Sequence, residues 1–299
     1  MSSDQDRDSC ELAIKKTLAY RSIFKYPLSK YQLKTFLITG KEYRNKVIEG
    51  SIEHLTHRGF IKDKNKKYYL PGVAPVEWHE KKALTKKILT KNGKVFEMLS
   101  KIPWLSLLAV TGSVAAYNTR IDSDIDVLIV VRKNRLWITR FFVTSILKIT
   151  KKFPNTDGEK GKICTNLFMD EKHMTWDESK RNIFIANDIV LMQPIIDKEN
   201  TYLRFLNSNR WASEYFAQFP INKFQNQKFK INKNKAGNDL SSPILDFIEN
   251  IFMKIQINHM RKKQTTEITT KHLIHFNKND NSQRILTSYE KALANRKID

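Results

Sequence analysis

Apolar positions recur along the chain at helical and strand periods, and the shifts between them divide it into parts. In residues 10–72, Glu11 to Phe24 carries Leu12, Ile14, Leu18 and Ile23 at roughly helical spacing. The run "YPLSKYQLKTFLITG" offers Pro27 and Ser29 as a helix start and Gly40 as its stop. "KEYRNKVIEGSIEHLTHRGFI" predicts a third helix with Val47, Ile48, Ile52 and Leu55 inward, and "GFIKDKNKKYYLPG" predicts a hairpin with a Lys/Asn turn. Glu77 to Ile102 is expected to form one long charged helix ending at Pro103. Two apolar runs, "LLAV" and "IDVLIVV", read as buried strands around a polar segment.

After Val131, "RKNRLWITRFFVTSILKITKKF" predicts an amphipathic helix with Leu136, Phe141, Ile146 and Ile149 as its core face. "KICTNLFM" predicts a strand entered through Gly158 and Gly161. "NIFIANDIVLMQPII" is expected to be helical as far as Pro194, and "YLRFLNSNRWASEYF" to form another helix. Residues 221–242, rich in Asn and Lys and poor in core formers, read as a linker or mobile loop. Residues 243–299 open with an amphipathic helix whose Ile244, Ile248, Ile251 and Ile255 are in register to pack on the main domain, and a further helix is expected over "NDNSQRILTSYEKAL". The expected division is 1–72, 73–220, 221–242 and 243–299.

Composition adds a charge of +22 over 299 residues. Such an excess suits a polyanionic partner such as nucleic acid, nucleotide or an acidic membrane surface, but Lys, Asn and Ile are abundant throughout, as in AT-rich genomes. Cys10 and Cys164 are the only cysteines, so there is no disulfide framework and no CxxC metal pattern. The polar, acidic start MSSDQDRDSCE is unlike a signal or transit peptide, and no stretch approaches the ~20 apolar residues of a spanning helix. These features lead to the expectation of a cytoplasmic protein that does not engage membranes.

The chemistry concentrates in "LLAVTGSVAAYNTRIDSDIDVLIVV". Residues two apart on a strand share a face, so Asp124 and Asp126 project together. Two adjacent carboxylates repel unless a cation lies between them or one holds a proton. Mg²⁺ or Mn²⁺ takes oxygen ligands and joins carboxylates to substrate phosphates. Asp122 falls in the loop and reads as a solvated turn residue. Gly112 permits close backbone approach, Ser113 adds a hydroxyl, and the helix-like VAAYN behind them would turn free N–H groups toward an anion.

The stretch "TGSVAAYNTRIDSDIDVLIV" resembles the signature of the polymerase-beta-type nucleotidyltransferase superfamily: Gly-Ser, about ten residues, then Asp-apolar-Asp-apolar. Gly112, Ser113, Asp124 and Asp126 match it position by position. "IPWLSLLAVTGS", "NRLWITR", "CTNLF" and "NRWASEYF" extend the likeness to a prokaryotic group of such proteins with an N-terminal winged helix. The resemblance implies an α+β fold, a small mixed sheet with flanking helices, with metal on Asp124 and Asp126 and a nucleoside triphosphate held by Gly112 and Ser113. It also implies a third carboxylate on a later strand. The matching position holds Asn166, which cannot act as a base near neutral pH, and Asp170, four residues on, is the carboxylate expected to share its face.

Three helices and a basic hairpin follow the order of a winged helix-turn-helix, whose third helix enters a major groove while the wing, here Lys62, Lys64, Lys66 and Lys67, touches backbone. Such units contact DNA or RNA, or dock proteins. The function expected is therefore a Mg²⁺-dependent transfer of a nucleoside monophosphate to an acceptor, with a non-catalytic nucleic-acid-binding regulator as the alternative. Arg135 and Arg140 are candidates for phosphate contact or plain surface charges. Trp137 and Trp211 read as core residues, and His272 and His275 as structural.

Overall fold

The computed structural model describes residues 2–154, 161–221, 243–261, 268–275 and 281–298. Residues 222–242 of the expected linker and Gly158 lie outside these. The described chain is α+β, with two sheets among its described residues.

The N-terminal unit runs α1 (Ser2–Ser22), β1 (Leu28–Ser29), α2 (Lys30–Thr35), α3 (Asn45–His57), β2 (Lys62–Lys64) and β3 (Lys67–Tyr69), with strand order β1-β3-β2. The three helices and hairpin are those the pattern predicts, with β1 added. Ser29 starts α2 through a reciprocal cap: its hydroxyl accepts from Gln32 N, and the Gln32 side chain accepts from Ser29 N. α2 ends at Thr35, well short of Gly40. Asn65 and Lys66 both take positive φ, 54° and 59°, the two-residue geometry that matches the twist of β2 and β3.

The expected long helix is two, α4 (Trp78–Lys91) and α5 (Gly93–Ser100). Asn92 divides them, and its side-chain amide donates to Ile88 O, the local hydrogen bonding that makes Asn a poor helix former. The central sheet follows: β4 (Leu105–Val110), the single turn α6 (Gly112–Ala115), β5 (Ile125–Val131), α7 (Leu136–Ile149), β6 (Ile163–Asp170), α8 (Ile183–Leu191), β7 (Gln193–Asp197) and α9 (Thr201–Ser208). α9 leads into a short 3-10 turn at Arg210–Glu214. Pro194 does not stop a helix; it sits within β7, an edge strand of the sheet that pairs with β4 alone, where a residue without N–H is tolerated.

α10 (Pro243–Arg261), β8 (Ile268–Thr269), β9 (Leu273–His275) and α11 (Asn281–Ala294) complete the described chain. The sheet order is β7-β4-β5-β6-β9-β8, with β5 and β6 parallel and joined through α7.

Alternation divides the sheet into two buried faces. Leu107, Ala109, Leu128 and Val130 look toward α8 and share a continuous core with α1, α3 and α11. Leu108, Val110, Val127 and Ile129 look toward α5 and α7.

Two predicted helix faces hold only in part: on α7, Leu136 is buried and Ile146 packs against the core as expected. α7 buries Leu136, Trp137, Val143 and Leu147, whereas Phe141 is 40 % and Ile149 77 % exposed. α10 lies on α7, yet Ile244, Phe247, Ile251 and Ile255 face outward. It turns Phe252, Met253, Ile257 and the buried Met260 to the core, and polar contacts join them. The two oxygens of the buried Glu249 carboxylate accept from Trp137 N and Ile138 N at 2.7 and 3.0 Å, meeting the open N–H groups of the first turn of α7. Gln256 donates to Trp137 O.

Candidate functional site

β4 ends where Thr111 N donates to Asp126 O at 2.9 Å, bringing the Thr-Gly-Ser turn beside the start of β5. Gly112 has φ +61°, and a β-carbon built there would lie 3.1 Å from Oδ2 of Asp126. Glycine is therefore required twice, for its backbone conformation and for the room the carboxylate occupies. Gly112, Ser113 and Asp126 line one cavity of about 450 Å³.

Asp124 immediately precedes β5. Its Oδ1 accepts from Lys162 N at 2.9 Å, and Oδ2 lies 3.8 Å from the Cys164 thiol. Asp126 Oδ1 accepts from the Asn166 amide at 2.6 Å. Burial pushes the Asp126 carboxyl above its usual range, the Asn166 hydrogen bond opposes this, and the charge of Asp124 adds to the rise. Gly112 thus lies against Asp126, and Asp124 is near enough for its charge to act on Asp126. Asp122 stays in the exposed loop.

Asp170 does not join them. Register along β5 and β6 pairs Asp126 with Cys164 but Val131 with Asp170, so Asp170 lies at the opposite end of the sheet, roughly 16 Å away at strand rise. A bulge between Thr165 and Leu167 inserts Asn166 as an extra residue. It aims the Asn166 amide at Asp126 and reverses the alternation beyond it, so that Leu167 and Met169 face the α8 side and Phe168 the other. Asp170 is fully buried, and its carboxylate accepts from Asn134 N and Lys172 N, both at 2.8 Å.

His173 and His272, with rings stacked at 4.3 Å, both set Nδ1 within 4 Å of Asp170. His272 therefore has partners that spacing did not reveal. Among the described residues this trio is the one group of three His, Cys, Asp or Glu ligand atoms close enough to converge on an ion.

Arg135 and Arg140 do not reach the cavity: Arg135 is buried against Asp246, and Arg140 donates to Gln256, both on α10. Trp137 and Trp211 are core, as expected.

Sequence reasoning missed Asp188, on α8. It lines the same cavity, and burial raises its pKa to about 7, with the charge of Asp126 adding and that of Arg21 opposing. It sits deep in the wall with part of its surface open to the cavity. No spacing rule links Asp188 to Asp126; a carboxylate within an otherwise apolar helical run was the available signal.

The donor set fits a hard divalent cation. Asp124 precedes β5 and Asp126 lies two residues on within it, burial of Asp126 brings an electrostatic penalty that a cation relieves, and its Oδ2 lies against Gly112. No protein-family model matches the chain, and no match is found among the curated proteins.

Proposed function

We propose that the chain is a divalent-cation-dependent nucleotidyltransferase that moves a nucleoside monophosphate from a triphosphate to an acceptor. The observation that carries this reading is the close approach of Gly112 to the half-buried Asp126, next but one to Asp124 in the chain, in the wall of a partly open cavity. Asp124 and Asp126 would hold Mg²⁺ or Mn²⁺. When bound, the cation supplies charge neutralisation at the phosphates and lowers the proton affinity of the attacking oxygen.

The residues of the chain do the rest. Asn166 holds Asp126 in place through its amide but takes no proton. Gly112 leaves backbone and space for phosphate oxygens, and Ser113 offers its hydroxyl to them. Asp188 has the proton affinity of a general base near neutral pH and faces the same cavity.

Asn166, standing where the superfamily carries a third carboxylate, favours the second reading, a non-catalytic nucleotide-binding regulator. As a nucleic-acid reader, the N-terminal unit gains support from its winged-helix order of elements and from the exposed Lys62, Lys64 and Lys66. It loses support from α3, whose outer side carries Glu49 and Glu53 and whose Glu49 pairs with Lys30.

The test is equilibrium binding of each nucleoside triphosphate with Mg²⁺ or Mn²⁺, followed by label transfer in the presence of cell extract. Asp124→Asn and Asp126→Asn should each lose metal-dependent binding while keeping the fold. Binding at parental strength in both variants would remove the metal-site reading. Binding lost in the variants, with no transfer by the parent, would select the regulator.

A further inference from the structure

The cavity holds a cation that the chemistry above does not use. Arg21, at the end of α1, is 6 % exposed and lines the cavity. Among the described residues its guanidinium makes no hydrogen bond or ion pair, and its Nε is buried without a partner. Its near neighbours are the ring faces of Tyr20 and Phe36, each 5.7 Å from the guanidinium carbon. An isolated buried charge is costly, and a guanidinium fork matches carboxylate or phosphate oxygens.

Asp188 is the acidic group whose field reaches Arg21, and no ion pair joins the two among the described residues. A second buried polar atom on the cavity wall is orphaned as well: Oδ1 of Asn187, a residue 4 % exposed.

Around these groups the cavity is apolar and aromatic, with Phe24, Leu28, Phe36, Trp176, Phe184 and Ile185 in its wall. Its size suits a small molecule. The walls come from α1, α2, α8 and α11 on one side and from Gly112, Asp126 and Asn166 at the sheet on the other.

We propose that Arg21 binds the anionic group of a small molecule in this cavity, and that this molecule, a carboxylate or phosphate on an aromatic or apolar body, is the acceptor. The anion subsite stands on the geometry alone; its role as acceptor site rests on the nucleotidyl-transfer reading.

The test uses the full chain and three probes: phenyl phosphate, benzoate and the neutral benzyl alcohol, titrated by ligand-observed NMR without metal. At least one of the two anions should bind about tenfold or more tightly than benzyl alcohol, and the tighter of the two identifies the group as phosphate or carboxylate. Arg21→Met should weaken that anion by about tenfold or more, the scale of a charged hydrogen bond, and leave benzyl alcohol unchanged. Arg21→Lys should fall between. If Arg21→Met does not fold by circular dichroism, Arg21→Lys and Arg21→Gln carry the comparison.

Equal binding of all three probes to the parent, or undiminished anion binding in the folded Arg21 variants, would overturn the subsite. Asp126→Asn, titrated with Mg²⁺ and ATP, separates the two readings. Retained Mg²⁺-dependent ATP binding there removes the nucleotidyl-transfer role while leaving the anion subsite intact. Lost ATP binding with retained anion binding supports both.

Discussion

Gly112 and Asp126 are so close that any side chain at Gly112 meets the carboxylate. Gly112→Ala forces a non-glycine residue to φ +61° and sets a methyl group against the carboxylate. It should cost about 1–2 kcal/mol of stability in chemical denaturation and remove metal-dependent nucleotide binding together with it. Asp170→Asn is the contrasting case. It leaves one acceptor oxygen where the carboxylate served two backbone N–H groups, so stability should fall by about 1–3 kcal/mol. Because Asp170 lies at the far end of β6, nucleotide binding by calorimetry should be unchanged; a loss would return Asp170 to the site. The Asp124–Asp126 pair was legible because strand alternation is a local rule. The fate of Asp170 was set by strand pairing: the register of β6 on β5 puts Asn166 beside Asp126 and carries Asp170 to the far end of the sheet.

Among the elements, α10 is held by polar anchors as well as by an apolar face. Glu249→Ala should leave two buried N–H groups of α7 unpaired and cost about 1–3 kcal/mol, whereas Glu249→Gln, which keeps one acceptor, should cost less. Equal unfolding midpoints for both variants and the parent would show that Glu249 does not hold the two helices together.

The end of β7 provides a pH-dependent element. Burial raises Asp197 to about pKa 6, against the hydrogen bond it accepts from Tyr202 N. Since the folded-state value is the higher one, its contribution is fully present below the ordinary carboxyl range and is lost as pH rises from about 4 through 6. Asp197→Asn keeps an acceptor for Tyr202 N without the charge. It should therefore gain up to about 1–3 kcal/mol over the parent at pH 8 and much less at pH 4, read from denaturation at both pH values.

Across the whole molecule, one apolar core runs from α1 and α3 through one sheet face to α8, α9 and α11. Residues 1–72 therefore form a wall of the cavity as well as a unit with its own small sheet. Calorimetry should show one cooperative unfolding transition, and two separable transitions would contradict that shared core. Among the described residues no helix is long and apolar enough to cross a membrane, while the apolar side chains of Ile244, Phe247, Ile251 and Ile255 face outward.

The sequence alone determined what short-range physics controls. It specified the Ser29 cap, the Asn65-Lys66 turn, the buried strands around Gly112 and Asp126, and the two carboxylates on one face. These depend on backbone preference and side-chain alternation within a few residues. Tertiary structure decided which faces of α7 and α10 turn inward, the strand at Pro194, the position of Asp170, and the meeting of Arg21, Asp188 and Asp126 around one cavity. Helices such as α7 carry apolar residues on more than one face, so periodicity could not choose between them. The cavity groups come from α1, β5 and α8, far apart along the chain, and only the packing of those elements on the sheet brings their charges into one field.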